Sequence, residues 1–170
     1  MDMDELMVML RAGGYGTTLS DRSRAVYMLH MRGARLVDIH RPDPDPVHAT
    51  GPVRRCWGNA QAFVRRDPAR YGYVEGVVRR GPGAEWEMHG YVFDRRMGHA
   101  IETTTGYSGA VEYQGVALDL SAVDRWFAAH PDYDGDDGRP SLVWLFVWDA
   151  LERGATSLDL SEIAEDGAGL

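Results

Sequence analysis

The sequence predicts an α+β domain in which a helix opening with a cysteine packs on an antiparallel sheet. Three observations carry this. Helical patterns occupy the first third of the chain and the last, and between them lie four strand-like runs within residues 71–120. The breaks between those runs, RRGPGA and DRRMG, are short and rich in turn formers, as hairpins require. At 170 residues the chain has the size of one domain, large enough to bury a core without disulfide or metal staples. No internal repeat and no linker divides it.

The elements follow in order. A helix is expected over 3–11, closed by the glycine-rich break GGYGTT, which lacks the Lys-Ser/Thr ending of a phosphate loop. Ser20 or Asp21 can cap a second helix running to about Arg32, with Gly33 as its stop. LVDI at 36–39 reads as a short strand, and RPDPDPVHATGP at 41–52 is a proline-punctuated loop that cannot be regular structure. A third helix runs from about Cys56 to Arg66, where Asp67-Pro68 ends it.

The strands are YGYVEGVV (71–78), EWEMHGYVF (85–93), GHAIETT (98–104) and AVEYQGVALDL (110–120). SAVDRWFAAH (121–130) is helical with Ser121 as the expected cap. SLVWLFVWDALERG (141–154) is apolar nearly all round and so reads as a buried helix stopped by Gly154. Trp126, Trp144 and Trp148 are read as core. The tail SLDLSEIAEDGAGL reads as weakly helical and fraying. A central unit of about 54–118 is thus flanked by helices within 3–32 and 121–165.

Bulk chemistry excludes several function classes. The formal charge of −8 argues against holding a nucleic-acid backbone. All 18 basic residues are arginine, a pattern expected of a GC-rich coding sequence. No apolar run approaches the ~20 residues that span a bilayer. The opening MDMDELMVML is acidic before it is apolar, unlike a secretory signal, and a single cysteine offers no internal disulfide. These features point to a cytoplasmic setting.

That cysteine, Cys56 in RRCWGNAQAF, stands where a loop ends and a helix begins. The unpaired N–H groups and dipole of a helix start favour a thiolate, and the Cys56 N–H is a natural oxyanion donor. A nucleophilic cysteine also needs an imidazole, and a carboxylate or amide to orient it. His89 lies mid-strand and Glu102 in the next strand. With a turn at 94–98 centred on Arg95–Arg96, antiparallel pairing brings the two opposite each other, ~5 Å apart at Cβ. Packing the Cys56 helix on that sheet completes a Cys56-His89-Glu102 triad. His99, at odd spacing from Glu102, falls on the other face of its strand. Asn59, one turn after Cys56, either lines the same pocket or caps the loop at 48–52.

Other readings of the same residues stand beside this one. A lone cysteine is often a buried apolar residue, and His89 and Glu102 have ordinary strand roles open to them. Cys56, His48, His89 and His99 supply ligand types for zinc but lack its close pairing. DYDGDDG at 132–138 resembles the start of a calcium loop, with its glycine one place late and Val143 at position twelve, and reads as an exposed acidic turn.

Cys56-Trp57, Glu75-Gly76, His89-Gly90-Tyr91 and Glu102-Thr103-Thr104, in that order, resemble the transglutaminase-like superfamily, with its papain-like fold. Small bacterial members read roughly Cys, Gly-Tyr, His-Ala-Trp, Asp-Pro-Thr. The likeness covers about 54–118. Asn59-Ala60, Val74-Glu75-Gly76 and Tyr113-Gln114-Gly115-Val116 are similar to segments of small, often phage-encoded proteins. The chain departs from the pattern at Glu102, where Asp is usual, at Tyr91, where Trp is usual, and in having no proline after the acid.

The resemblance implies attack by Cys56 on an amide or peptide substrate, proton transfer by His89, orientation by Glu102, and substrate contacts from Trp57, Asn59 and Tyr91. It implies no cofactor and no metal. Two function classes follow: a hydrolase or acyltransferase working through a thioester, and a catalytically inactive binding domain on the same fold.

Overall fold

A computed structural model describes Glu5, Val8, His48 and residues 18–29, 31–32, 36–39, 50–107, 110–133, 139–153 and 158–165. The helix expected over 3–11 falls mostly outside these, although Glu5 and Val8 are both helical. Residues 134–138 of the calcium-like turn at 132–138 and the Gly154 stop lie outside them too, as does the Trp148 side chain.

The architecture is α+β. In chain order come β1 (Thr18–Leu19), α1 (Asp21–Leu29), β2 (Met31–Arg32), β3 (Leu36–Ile39), α2 (Cys56–Val64), β4 (Tyr71–Arg79), β5 (Trp86–Asp94), β6 (His99–Ile101) and β7 (Glu112–Leu118). Helix α3 (Leu120–Ala129), a 3₁₀ turn (Pro131–Tyr133), α4 (Leu142–Glu152) and β8 (Leu158–Asp159) follow. The main sheet runs β1-β5-β4-β7-β3, every pair antiparallel, with β6 also on β5. β2 and β8 pair separately, in parallel.

Alternation along the strands divides the core in two. Tyr73, Val77, Met88, Val92 and Val116 face the helices, packing with Ala60 and Phe63 of α2, Val123 and Phe127 of α3, and Trp144 and Val147 of α4. Val74, Val78, Tyr91, Tyr113 and Ala117 form a smaller cluster on the other face. Gly76 pairs with Gly115 between those residues. A Cβ on Gly76 would stand 2.0 Å from the Gln114 carbonyl oxygen, so only glycine lets the two backbones approach this closely.

Several boundaries differ from the sequence reading for local reasons. Ser20 caps α1, its Oγ accepting the Ser23 N–H at 3.2 Å. The helix stops at Leu29 because Met31–Arg32 joins the β2–β8 pair. Asp119, not Ser121, caps α3: its carboxylate accepts the Ser121 N–H at 2.9 Å and the Ser121 hydroxyl at 2.8 Å. Over its described residues, 158–165, the tail is not helical. β8 is followed by buried Leu160 and Ile163, and the Glu165 N–H reaches the Ala117 carbonyl at 3.0 Å. Leu158-Asp159-Leu160 carries the two-residue period of a strand.

The β5–β6 hairpin turns one residue later than expected. Val92 pairs with Ile101 and Asp94 with His99, which centres the turn between Arg96 and Met97. Asp94 builds it: its carboxylate accepts the N–H groups of Arg96 (2.9 Å) and Met97 (3.1 Å). Gly98 supplies the left-handed residue, at φ 70°. The register moves by two residues, so His89 and Glu102 still share a face.

The helix face of the sheet also buries a charge. Glu75 has no exposed surface. Its carboxylate accepts the Leu142 and Val143 N–H groups at 3.1 and 2.9 Å, holding the start of α4. The Ser141 and Tyr73 hydroxyls donate to it at 2.5 and 2.6 Å, and Gln61 of α2 donates to the Tyr73 oxygen at 3.2 Å. Burial pushes the Glu75 carboxyl above its ordinary range, only partly offset by these donors. Glu75→Ala is expected to lose roughly 3 kcal/mol or more in urea melts, because it strands four buried donors. Glu75→Gln is expected to lose less. A raised folded-state pKa favours the folded state most below the unfolded value, and this contribution fades as pH rises through the raised one. Glu75→Gln removes that part of the pH dependence, which melts from about pH 4 to pH 8 will read.

Candidate functional site

Strand β5 is paired with β4 along its inner edge, but its outer edge is interrupted. β1 pairs with Trp86 and Glu87, and β6 with Val92, Phe93 and Asp94. Among the described residues neither reaches 88–91. The start of α2 lies against this gap. A Cβ on Gly90 would stand 2.7 Å from Trp57 Cδ1 and 2.9 Å from Trp57 Cα, so the helix start rests on the β5 backbone. No side chain caps α2, and its first turn closes with the Asn59 N–H on the Arg55 carbonyl at 2.8 Å. Arg54, at φ 63°, makes the sharp turn into it.

His89 is next to Gly90 and points to the opposite face. It is fully buried, and its Nε2 lies 2.9 and 3.1 Å from the two Glu102 oxygens. Glu102 follows the end of β6, where the ladder has stopped. It is fixed by the Thr104 N–H at 2.7 Å, with the Tyr113 hydroxyl at 3.4 Å. An ionised carboxylate only accepts, so Nε2 carries the hydrogen and Nδ1 is left to exchange a proton. Nδ1 is buried and has no hydrogen-bond partner among the described residues.

Cys56, 6% exposed, acts on this ring. Burial is the largest influence on the imidazole and works to lower its pKa. The Cys56 and Glu102 side chains beside the ring, by contact and by charge, outweigh burial and lift it from 6.5 to about 9. The thiol is near enough to bias the proton without forming an aligned hydrogen bond, as is common in sites without substrate.

The structure brings together Cys56, His89 and Glu102. Asn59 caps the preceding loop, donating to the Pro52 carbonyl at 2.8 Å and to Thr104 Oγ1 at 3.0 Å. Gly51 bonds Thr103 and Thr105 through its backbone, at 2.9 and 3.0 Å. Trp57 is half-buried against Gly90. Tyr91, expected to meet substrate, is instead wholly buried, its ring 4.9 Å from that of Tyr113; strand alternation turns it into the smaller core. His99 sits 3.8 Å from Asp94, away from the site. No three His, Cys, Asp or Glu side chains converge as a metal site among the described residues.

Tyr107 is the residue that sequence reasoning missed. Its ring stacks on His89, with centroids 4.2 Å apart. No motif marks it in the sequence, where it lies between β6 and β7. Two clefts lie elsewhere: one of about 620 Å³ by Trp126, Phe146 and Arg153, and one of about 160 Å³ along the outer side of α2 by His48, Asn59 and Arg66. No described helix is long and apolar enough to cross a membrane.

Gly90→Ala is expected to lose roughly 1–3 kcal/mol in urea titrations by forcing the helix start off β5. Gly58→Ala, whose Cβ would meet nothing within 4 Å, is the control and should hold or gain stability. A second expectation concerns pH. His89 holds its proton to about 9 when folded against 6.5 otherwise. Its contribution to stability is therefore full below about 6.5 and is lost as pH rises through about 9. Thermal melts across that window should show the decline, and Glu102→Gln should flatten it.

Comparison of the chain with protein-family models, with curated proteins and with solved structures finds no match.

Proposed function

We propose that this protein is a cysteine-dependent amide or peptide hydrolase, or an acyltransferase, working through a thioester. The observation that carries the reading is the division of labour on His89: Nε2 is held by Glu102, while the buried Nδ1 is unpaired among the described residues and the ring interacts with Cys56. A ring protonated up to about 9 is a cation beside a sulfur, the condition that favours thiolate.

In this reading the Cys56 sulfur attacks the carbonyl carbon, and negative charge forms on the carbonyl oxygen at the positive end of α2. His89 then gives its proton to the leaving nitrogen as the C–N bond breaks, leaving an acyl thioester and a neutral imidazole. Water adds next, with the imidazole taking its proton. The C–S bond breaks, and the acid and the Cys56–His89 pair are released. An amine in place of water gives transfer instead of hydrolysis. The superfamily likeness of the sequence motifs agrees with this chemistry.

One observation favours the second reading, a binding domain without catalysis. Cys56 and Glu102 are 6% and 7% exposed and His89 is fully buried, so a substrate has little open surface to reach. Alkylation separates the two, and Cys56 is the chain's only cysteine. The parent is expected to react with iodoacetamide near neutral pH about tenfold or more faster than His89→Ala, whose thiol should need a pH near about 8.5. A Cys56 that stays inert until the protein unfolds would remove the enzyme reading and leave the binding domain.

A further inference from the structure

We propose that Tyr107 is a positioning residue for His89, its ring setting the plane of the imidazole and stabilising the protonated form. The proposal rests on the catalytic reading for its importance, although its effect on the imidazole is measurable without it.

The stack is clamped rather than incidental. The Tyr107 hydroxyl donates to Glu87 Oε2 at 2.9 Å, and Glu87 stands two residues before His89 on β5, on the same face. A ring tied at its hydroxyl to Glu87 is therefore laid beside its neighbour on that face. Arg80 closes the clamp, pairing with Glu87 at 3.0 Å and placing its guanidinium carbon 4.6 Å from the Tyr107 ring centre. On the main chain, the Tyr107 N–H meets the Thr104 carbonyl at 3.3 Å. This joins Tyr107 to the segment whose Thr104 N–H holds Glu102.

The chemistry follows from the geometry. Glu102 fixes one edge of the imidazole but leaves the ring free to tilt about that contact. A flat ring stacked at 27° limits the tilt and keeps Nδ1 directed to one side. The face of a phenol ring is electron-rich and attracts a cation more strongly than a neutral imidazole. Burial, together with the bond to Glu87, pushes the Tyr107 phenol up to about 12, so it serves as a ring and does not compete for the proton. Among the described residues, the titratable and charged groups around His89 are Glu102 after β6, Cys56 on α2 and Tyr107 itself, with Tyr113 of β7 acting through Glu102. Glu87 and Arg80 act through Tyr107.

The test is an NMR titration of the full chain carrying ¹⁵N-labelled histidine, with the His89 signals identified by their loss in His89→Ala. Tyr107→Phe keeps the ring and should titrate within a few tenths of a unit of the parent. Tyr107→Leu should lower the His89 pKa by roughly one unit. Should that variant fail to fold, Tyr107→Met makes the same comparison. Equal titration in all variants would overturn the proposal. Equal falls in the Phe and Leu variants would also overturn it, by assigning the effect to the hydroxyl. Iodoacetamide rates on the same samples keep the two claims apart. A shifted His89 with an inert parent Cys56 removes the enzyme reading and leaves the positioning role intact. A reactive Cys56 with an unmoved His89 does the reverse.

Discussion

The break in the outer edge of β5 is the constraint on which the site depends. A strand edge is a row of backbone groups that other elements normally cover. Here, among the described residues, β1 and β6 cover its two ends, and the start of a helix packs on 88–91. Because that helix begins with the thiol and the strand at the gap carries the imidazole, the same packing that covers the edge brings the two together. Gly90 makes this work by having no side chain, since any Cβ there meets the Trp57 backbone. His89 and Gly90 point to opposite faces, so the helix can rest on one while its first residue acts on the other.

Two buried carboxylates anchor the surroundings by the same means. Glu75 on the helix face and Glu102 on the other face each accept from several donors. Both also reach across elements: Glu75 ties β4 to α4, and Glu102 ties the β6 end to His89 on β5. A buried carboxylate is costly unless its lone pairs are filled, and each of these is filled by hydroxyls, backbone N–H groups or the imidazole. These two carboxylates thus centre small polar networks on either side of one sheet. Gln61, through Tyr73, connects the Glu75 network to the helix that carries Cys56.

Much of the central unit was legible because its patterns are local. The strands at 71–79, 86–94 and 112–118 and the helix at 56–64 lie within a residue or two of where alternation, turn formers and proline place them. The pairing of His89 with Glu102 was legible because hairpin geometry tolerates a shift of two: the turn moved with the Asp94 cap, and the facing did not change. Less legible were features that depend on what a side chain touches. Ser121 and Asp119 are equally good caps on paper, and Asp119 wins because its carboxylate reaches both the N–H and the hydroxyl of Ser121. Tyr91 carries the motif position of a substrate-facing aromatic, yet strand alternation turns it into the smaller core.

What the sequence by itself determined is the order of elements, the α+β class, the placing of Cys56 at a helix start and the shared face of His89 and Glu102. Each follows from periodicity and spacing along a single stretch of chain. Only the tertiary structure decided that the helix start fills the gap at 88–91, that Asn59 joins Pro52 to Thr104, and that Tyr107 lies on the imidazole. Those contacts join residues far apart in the chain, through helix-to-strand packing and loops without a period. Their geometry comes from close approach in space, which no local pattern encodes.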